Sequence, residues 1–191
     1  MAVTAKGTPY VESSDLVANY PGVSLALANH IDTSTGKVLQ VVTTTKTDTF
    51  TVSAGTATTT DVTGLSVVIT PSSESSKIMV MWSVSGYAAN VGWATVIKRG
   101  ATAIGVGAAA GARGQVTDFG ISAGANTDIN AVGTGHFIDS PASTSALTYQ
   151  VALFNQRAST QVLNVNLVGN DLNGAYIARS ASTITVMEIS A

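Results

Sequence analysis

The chain has 191 residues, of which 45% are hydrophobic and only 10% are charged, and its formal net charge is −2. It contains no cysteine, which excludes disulfide bonds and thiolate metal sites. Its basic residues are scattered, so no nucleic-acid-binding patch is expected, and no stretch approaches the roughly 20 apolar residues that a membrane helix needs.

Residues 1–35 differ in composition from the rest and are predicted to form an arm. Two short helical segments, residues 15–19 and 24–31, are expected there, separated by a stop at Pro21-Gly22. Helices this short need a partner surface, so we expect the arm to dock onto another protein, with a disordered tail as the alternative. The residues expected to anchor the arm are Tyr10, Leu16, Val17, Tyr20, Leu25, Leu27 and Ile31.

Residues 36–191 are predicted to form one β-domain organised around the stretch 61–86. Apolar residues alternate with small polar ones in two runs separated by a polar break at Pro71, which predicts two antiparallel strands. The side chains expected in the core are Leu65, Val67, Ile69, Ile78, Val80, Trp82 and Val84. The intervening positions hold Ser, Val, Thr and Met rather than charges, so both faces of these strands are expected to be covered.

The remaining patterns predict further strands up to the C-terminus. Residues 38–53, 91–98, 115–121, 131–138, 147–155 and 161–168 are strand-like, and residues 183–189 are expected to bury Ile184 and Val186, with Met187 as a further candidate. Residues 105–114 form a Gly/Ala-rich loop. Roughly nine or ten strands with regularly spaced turns predict an antiparallel β-sandwich of the jelly-roll type.

The residues that commonly perform catalysis are rare. Only Glu12, Glu74 and Glu188 are glutamates, and Asp118 and Asp139 lie near predicted turns, which disfavours a glycosidase carboxylate pair. No G-x-S-x-G motif accompanies His30 or His136, and His136 is interpreted as a structural histidine. We expect no enzymatic activity, no cofactor and no metal.

Two weaker signals concern ligand binding. An oxygen-rich turn of Asn170, Asp171 and Asn173 lacks the pattern of a calcium loop and is interpreted as an Asx turn. Trp82 is in phase with the core, whereas Tyr87 and Trp93 flank residues 86–92 and are the candidates for exposed ligand contacts.

Six segments of the chain carry a resemblance to a known family: KGTPYVESSDLVANYPGVSLALANHID, GKVLQVV, DVTGLSVVITPSSESSKIMV, RGATAIGVG, FIDSPASTSALTYQV and STITVMEI. Over nearly its whole length the chain resembles structural proteins of tailed bacteriophages, many of them marine. This family comprises tail-fibre, head-fibre and capsid decoration proteins. The resemblance implies a trimeric jelly-roll-like body and no catalytic residues, while the short chain without a repetitive shaft favours a compact decoration protein.

The sequence therefore predicts a virion structural protein located on the capsid exterior or the tail. Its expected role is that of a homotrimeric capsid decoration, or cement, protein whose arm binds the major capsid protein or another virion protein. The alternative is a short tail-fibre or receptor-binding protein that recognises host surface glycans. Low charge also predicts that trimer contacts involve sheet faces or the loop at residues 105–114.

Overall fold

Strands dominate this computed structural model, which describes residues 2–3, 9–10, 20–33, 36–88, 93–119 and 130–191. The strands are β1 (Ala2–Val3), β2 (Pro9–Tyr10), β3 (Val38–Lys46), β4 (Phe50–Ala54), β5 (Thr59–Ile69), β6 (Lys77–Ala88), β7 (Trp93–Arg99), β8 (Thr102–Ile104), β9 (Asp118–Phe119), β10 (Ala131–Asp139), β11 (Leu147–Asn155), β12 (Gln161–Val165) and β13 (Ser182–Ile189). The single described helix is α1 (Tyr20–Thr33). The prediction of an all-β sandwich is confirmed.

The body consists of two antiparallel sheets. In sheet I, β6 is the central strand and pairs along one edge with β10. Along its other edge β6 pairs first with β13 and then with β12. The sheet continues with β3, which pairs with β13, and with β4, which pairs with β12. In sheet II the order is β5, β11, β7, and then β8 and β9 share the far edge of β7. The long strands β3, β5, β6, β7, β10, β11 and β13 alternate between the two sheets in chain order. Each of the short strands β4, β8, β9 and β12 lies in the same sheet as a strand next to it in the chain.

The core lies between the sheets and contains the side chains predicted from the alternation around residues 61–86. All seven predicted core residues, including Trp82, are buried, and Trp93, Tyr149 and Leu163 join them. Glycines on β10 make room for the two indole rings: a Cβ at Gly135 would lie 2.6 Å from the ring of Trp82, and one at Gly133 would lie 3.1 Å from that of Trp93. Both glycines therefore permit close packing that no larger residue would allow.

Polar contacts join the sheets at both sides of the sandwich. On one side, Thr44 Oγ1 of β3 donates a hydrogen bond to the Ser66 carbonyl of β5 at 2.7 Å. On the other, Asp139 of β10 accepts hydrogen bonds from Arg99 Nη1 at 2.6 Å and from the Tyr149 hydroxyl at 2.7 Å. The relative position of the two sheets is thus fixed by directional bonds as well as by packing.

Several local predictions need correction. The helix does not stop at Pro21-Gly22 but passes through both residues, because proline in the first turn of a helix removes only an amide that has no intrahelical partner. Met187 is not in the core, because it lies out of phase with Ile184 and Val186 on the opposite face of β13. The arm also contains a two-stranded β1–β2 pairing that the sequence patterns did not predict.

Other boundaries are shorter than predicted. Only Asp118–Phe119 of the predicted strand at residues 115–121 is described as strand, and residues 105–114 are irregular as expected. The predicted helical segment at residues 15–19 lies outside the described residues. Among the residues that the structure describes, no helix combines the length and hydrophobicity that crossing a membrane requires.

Candidate assembly surface

Four strands of sheet I present a broad face that points away from the core. Because neighbouring side chains of a strand point to opposite sides, the residues between the buried positions of β3, β6, β10 and β13 share this outer face. Its members are Val41, Thr43, Met79, Met81, Ser83, Val132, Thr134, His136, Ile138, Thr183, Thr185 and Met187. None of them is Asp, Glu, Lys or Arg.

The strand register arranges these side chains in rows across the sheet. One row is wholly apolar and consists of Ile138, Met79, Met187 and Val41, each paired with the next on the adjacent strand. The next row consists of His136, Met81, Thr185 and Thr43. Directly opposite side chains in a sheet are in contact, so the apolar row forms a continuous ridge.

Three of the four threonine hydroxyls named on this face are engaged within the sheet. The hydroxyls of Thr43 and Thr185 lie 2.8 Å apart, and Thr134 Oγ1 donates a hydrogen bond to the Trp82 carbonyl at 2.9 Å. Between β6, β10 and β13 the face contains a shallow groove of about 610 Å³. A surface with apolar side chains and internally satisfied hydroxyls loses little when water is removed, which is what a protein–protein interface requires.

The outer side of sheet II has a different character. Ala94, Val96 and Ala152 point away from the core, yet they are already buried within the single chain. The loop at residues 105–117 packs against this side at Phe154, where a Cβ on Gly114 would lie 2.4 Å from the ring. Farther along, Lys98 Nζ binds Asp61 Oδ1 at 2.7 Å. Sheet II is therefore partly covered by its own chain, and its open part combines a charged pair with the exposed Val68.

Glu188 is a buried carboxylate on the inner side of β13. Its Oε1 accepts hydrogen bonds from the Ser72 amide, the Ser72 hydroxyl and the Ser76 hydroxyl at 2.7, 2.6 and 2.7 Å, and its Oε2 accepts one from Gln40 Nε2 at 2.6 Å. Burial raises the pKa of Glu188, but the hydrogen bonds from Ser72, Gln40 and Ser76 outweigh burial and lower the pKa to about 2. This ionised group ties the β5–β6 turn to the end of sheet I.

The other inward carboxylate, Asp139, is also engaged by structural partners. Burial, together with the hydrogen bond to the Asp139 carboxylate, raises the pKa of Tyr149 well above its ordinary value, so this phenol stays protonated and donates. Glu188 and Asp139 thus both act as hydrogen-bond acceptors that hold elements together. Within the described residues, no three acidic or histidine side chains come together in a way that could hold a metal ion.

The prediction that Tyr87 and Trp93 are exposed is wrong. Their side chains are only 4% and 1% exposed. Trp93, at the start of β7, lies in the core between the sheets. Tyr87 is out of phase with the core positions of β6 and lies on the outer side of sheet I, where the segment around Gly169 covers its ring. The ring of Tyr87 packs against Gly169, and that of Trp93 packs against Gly86 and Gly133. Residues 86–88, which the sequence pattern assigns to a loop, belong to β6.

The predicted arm residues are described only in part. Leu25 is exposed and Leu27 is half-buried on α1, whereas Tyr20 and Ile31 are described only as members of α1 and Tyr10 only as a member of β2. Leu16 and Val17 lie outside the described residues. Their predicted role in anchoring stays a prediction.

The structure also shows the surroundings of His136 and of the oxygen-rich turn at Asp171. His136 is exposed on the outer face of sheet I rather than held in the interior. In the oxygen-rich turn, Arg179 engages both oxygens of the Asp171 carboxylate, with Nη2 at 2.7 and 2.8 Å from them. This pairing occupies the oxygens that a calcium ion would need.

A second concave site lies at one end of the sandwich, where three turns meet. This turn pocket has a volume of about 490 Å³. Its lining residues are Thr56, Ala57, Ala112, Arg113, Gly114, Val116, Phe119, Phe154, Gln156, Arg157 and Ala158. The sequence gives no sign of this pocket, because its residues come from three separate turns and match no motif.

Comparison with known proteins adds no functional assignment. No protein-family model and no curated protein matches this chain. The outer face of sheet I and the turn pocket are therefore the two features of the described residues from which a function can be inferred.

Proposed function

We propose that this chain is a structural protein of a bacteriophage virion, a homotrimeric capsid decoration protein located on the capsid exterior. The single observation that carries the proposal is the outer face of sheet I, which is four strands wide and whose central rows hold no Asp, Glu, Lys or Arg. The charge of Lys77 lies at the margin of this face, where its Nζ donates a hydrogen bond to Ser140 Oγ at 3.0 Å. Stable protein–protein interfaces are depleted in charge at their centres, and this face has that character.

The strand order supports a jelly roll as the architecture of the body. Taking β3/β4, β8/β9 and β12/β13 each as one interrupted strand leaves eight strands, divided four and four between two sheets, with nearly every connection crossing from one sheet to the other. Jelly rolls with this arrangement recur in viral capsid proteins. A trimer of such bodies would bury the outer faces of sheet I around its axis.

The arm at residues 1–35 provides the proposed attachment to the particle. Leu25 offers an exposed apolar side chain on α1, which suits docking onto the major capsid protein or another virion protein. Three arms on one trimer would act together, so weak individual contacts would give firm attachment.

The second candidate is a short tail-fibre or receptor-binding protein that recognises host glycans. The observation that favours it is the turn pocket, which combines two phenylalanines with two arginines at the loop end of the sandwich. The two candidates differ in stoichiometry, since a decoration protein accompanies the capsid lattice whereas a fibre occupies a few positions on the tail.

The test has two parts. Gel densitometry of purified virions should give an amount of this chain comparable to that of the major capsid protein, and a strongly substoichiometric amount would favour the fibre. In the second part, full-length protein with Leu16→Asp and Leu25→Asp is added to particles stripped of the native protein. We expect the variant to form trimers in light scattering yet fail to co-sediment, and co-sedimentation equal to wild type would contradict the role of the arm.

A further inference from the structure

The central rows on the outer face of sheet I include one side chain that can gain a charge near neutral pH. His136 is exposed there and lies directly opposite Met81 of β6. It lines the shallow groove of this face, together with the outward side chains of Met81, Ser83, Thr134, Thr183 and Thr185. Histidine is the side chain whose charge ordinarily changes between about pH 5 and 8. The charge at the centre of this face therefore depends on pH.

The side chains that surround His136 on this face supply no charge to balance an imidazolium. Its neighbours across the sheet and along β10 are Met81, Thr185, Thr43, Thr134 and Ile138. None of these side chains is ionisable near neutral pH. A proton taken up by His136 thus leaves a single positive charge among apolar groups and hydroxyls.

The carboxylates of the strands that pack around β10 belong to the inner side. Asp139 accepts hydrogen bonds there from Arg99 and Tyr149. Glu188 of β13 is 1% exposed and bound by the serines of the β5–β6 turn. Asp118 of β9, beside β10, faces the core side at Gly133, where an added Cβ would lie 3.2 Å from its Oδ2. In the described residues, β3, β6, β10 and β13 offer no acidic side chain on their outer side.

The charges at the margins of the face are already engaged. Lys77 lies four residues from Met81, roughly 13 Å along β6, and its Nζ donates a hydrogen bond to Ser140. In the turn that leads into β13, both oxygens of Asp171 are engaged by Arg179. Groups at such distances are largely screened at physiological ionic strength and would not offset a charge on His136.

We infer that His136 makes assembly of this protein dependent on pH, so that the trimer opens when the imidazole is protonated. The inference rests on the proposed trimer, in which the outer faces of sheet I meet. A neutral imidazole can enter such an interface with one donor and one acceptor, whereas burying an imidazolium with no acid opposite is unfavourable. The facing copies have the same sequence, so their central rows bring no carboxylate either.

The direction of the effect follows from proton binding. In the separated chain His136 faces water and takes up a proton at mildly acidic pH, whereas the assembled chain excludes that proton. Assembly therefore releases up to one proton per chain from His136, and the association constant falls as the pH is lowered. Carboxyl groups ordinarily titrate near pH 4, and the pKa of Glu188 is about 2, so the carboxylates that hold the fold stay ionised at pH 5.5.

The experiment is a dilution series of purified full-length protein at pH 7.5 and at pH 5.5, at constant ionic strength, followed by light scattering. We expect the association constant of wild-type protein to be at least roughly tenfold lower at pH 5.5. His136→Gln stays neutral and should assemble equally at both pH values, and His136→Lys is charged at both and should be dissociated at both. The matched control is His30→Gln on α1, which removes the other histidine and should keep the pH dependence.

The possible failures can be told apart. A wild-type monomer at pH 7.5 would contradict the proposed trimer itself. An oligomer equally stable at both pH values would overturn only the role of His136 and leave the trimer standing. The same conclusion would follow if His136→Gln weakened on acidification as much as wild type, or if His136→Lys assembled as tightly as wild type at pH 7.5. Thermal melts check that each variant is folded, and if His136→Gln is not, His136→Asn and His136→Lys decide the outcome.

Discussion

The outer faces of the two sheets differ in their charge and in how far the chain itself covers them. The outer face of sheet II is partly covered by the loop at residues 105–117 and carries the Lys98–Asp61 pair where it is open. On the outer side of sheet I, Gly169 covers only the end of β6 at Tyr87. The central rows have no such cover in the described chain and no charge, yet they include the apolar row of Ile138, Met79, Met187 and Val41. Charged side chains favour contact with water, so the scarcity of charge on sheet I is the reason for proposing that this side faces a partner.

The largest expected effect comes from placing a charge on the outer face of sheet I. Ile138→Lys should convert the proposed trimer to monomers, lowering the association constant by about 100-fold or more, because an unpaired ammonium would be buried at the interface. The measurement is light scattering or native mass spectrometry over a dilution series. Val132→Lys, on the same strand and face, should act in the same direction.

Val68→Lys is the matched control for this comparison. Val68 lies on the outer side of sheet II and is 54% exposed, against 57% for Ile138, so the two substitutions introduce the same charge at nearly equal exposure. We expect Val68→Lys to leave the oligomer intact. If it dissociates the oligomer as fully as Ile138→Lys does, or if wild-type protein is a 19.3 kDa monomer, then sheet I is not the interface.

Much of the fold can be predicted from the sequence, because the alternation of apolar and polar residues along a strand indicates which of its faces is buried. Leu65, Val67, Ile78 and Val80 are all in the core as predicted. The sequence did not show that Tyr87 and Trp93 are buried. Their burial depends on distant glycines that leave space for the rings, which is information about packing and not about local pattern.

The hydrogen-bond partners of the buried polar side chains could not be predicted from the sequence for a similar reason. Nothing near Glu188 in the sequence identifies its partners, since Ser72 and Ser76 lie 116 and 112 residues away along the chain. The turn pocket likewise assembles from three turns that are separated along the chain. Both features depend on sheet register and topology, which local periodicity does not specify.

Glu188 offers a way to separate folding from assembly, because its neighbour Met187 lies on the outer face of the same strand. Glu188→Ala removes the acceptor for four hydrogen bonds and leaves their donors buried or partly buried, so it should lower the free energy of unfolding by about 3 kcal/mol. Met187→Ala should cost less stability but weaken association more. Chemical denaturation should show the larger loss of stability in Glu188→Ala, and a dilution series should show the larger loss of association in Met187→Ala.

The same carboxylate predicts a dependence of stability on pH. Because the pKa of Glu188 falls from 4.5 to about 2 on folding, the unfolded chain takes up a proton at a higher pH than the folded chain does. The contribution of Glu188 is therefore complete above pH 4.5 and is lost as the pH falls toward about 2. Glu188→Gln should be less stable at neutral pH and should show a flatter decline across this acidic window, and parallel curves for variant and wild type would contradict the assignment.

The smallest expected effect concerns the Lys98–Asp61 pair on the outer side of sheet II. The Lys98 side chain is 20% and that of Asp61 42% exposed, so water screens the pair and competes for both groups. A double-mutant cycle with Lys98→Met and Asp61→Asn should therefore give a coupling energy of about 0.2–1 kcal/mol, which decreases as salt is added. Neither substitution should change the oligomeric state. A coupling above about 2 kcal/mol that is insensitive to salt would mean that this pair is shielded from water in the assembled protein, because only desolvated charges interact so strongly. In that event sheet II, too, would lie against a partner, and the contrast between the two outer faces would no longer identify the interface.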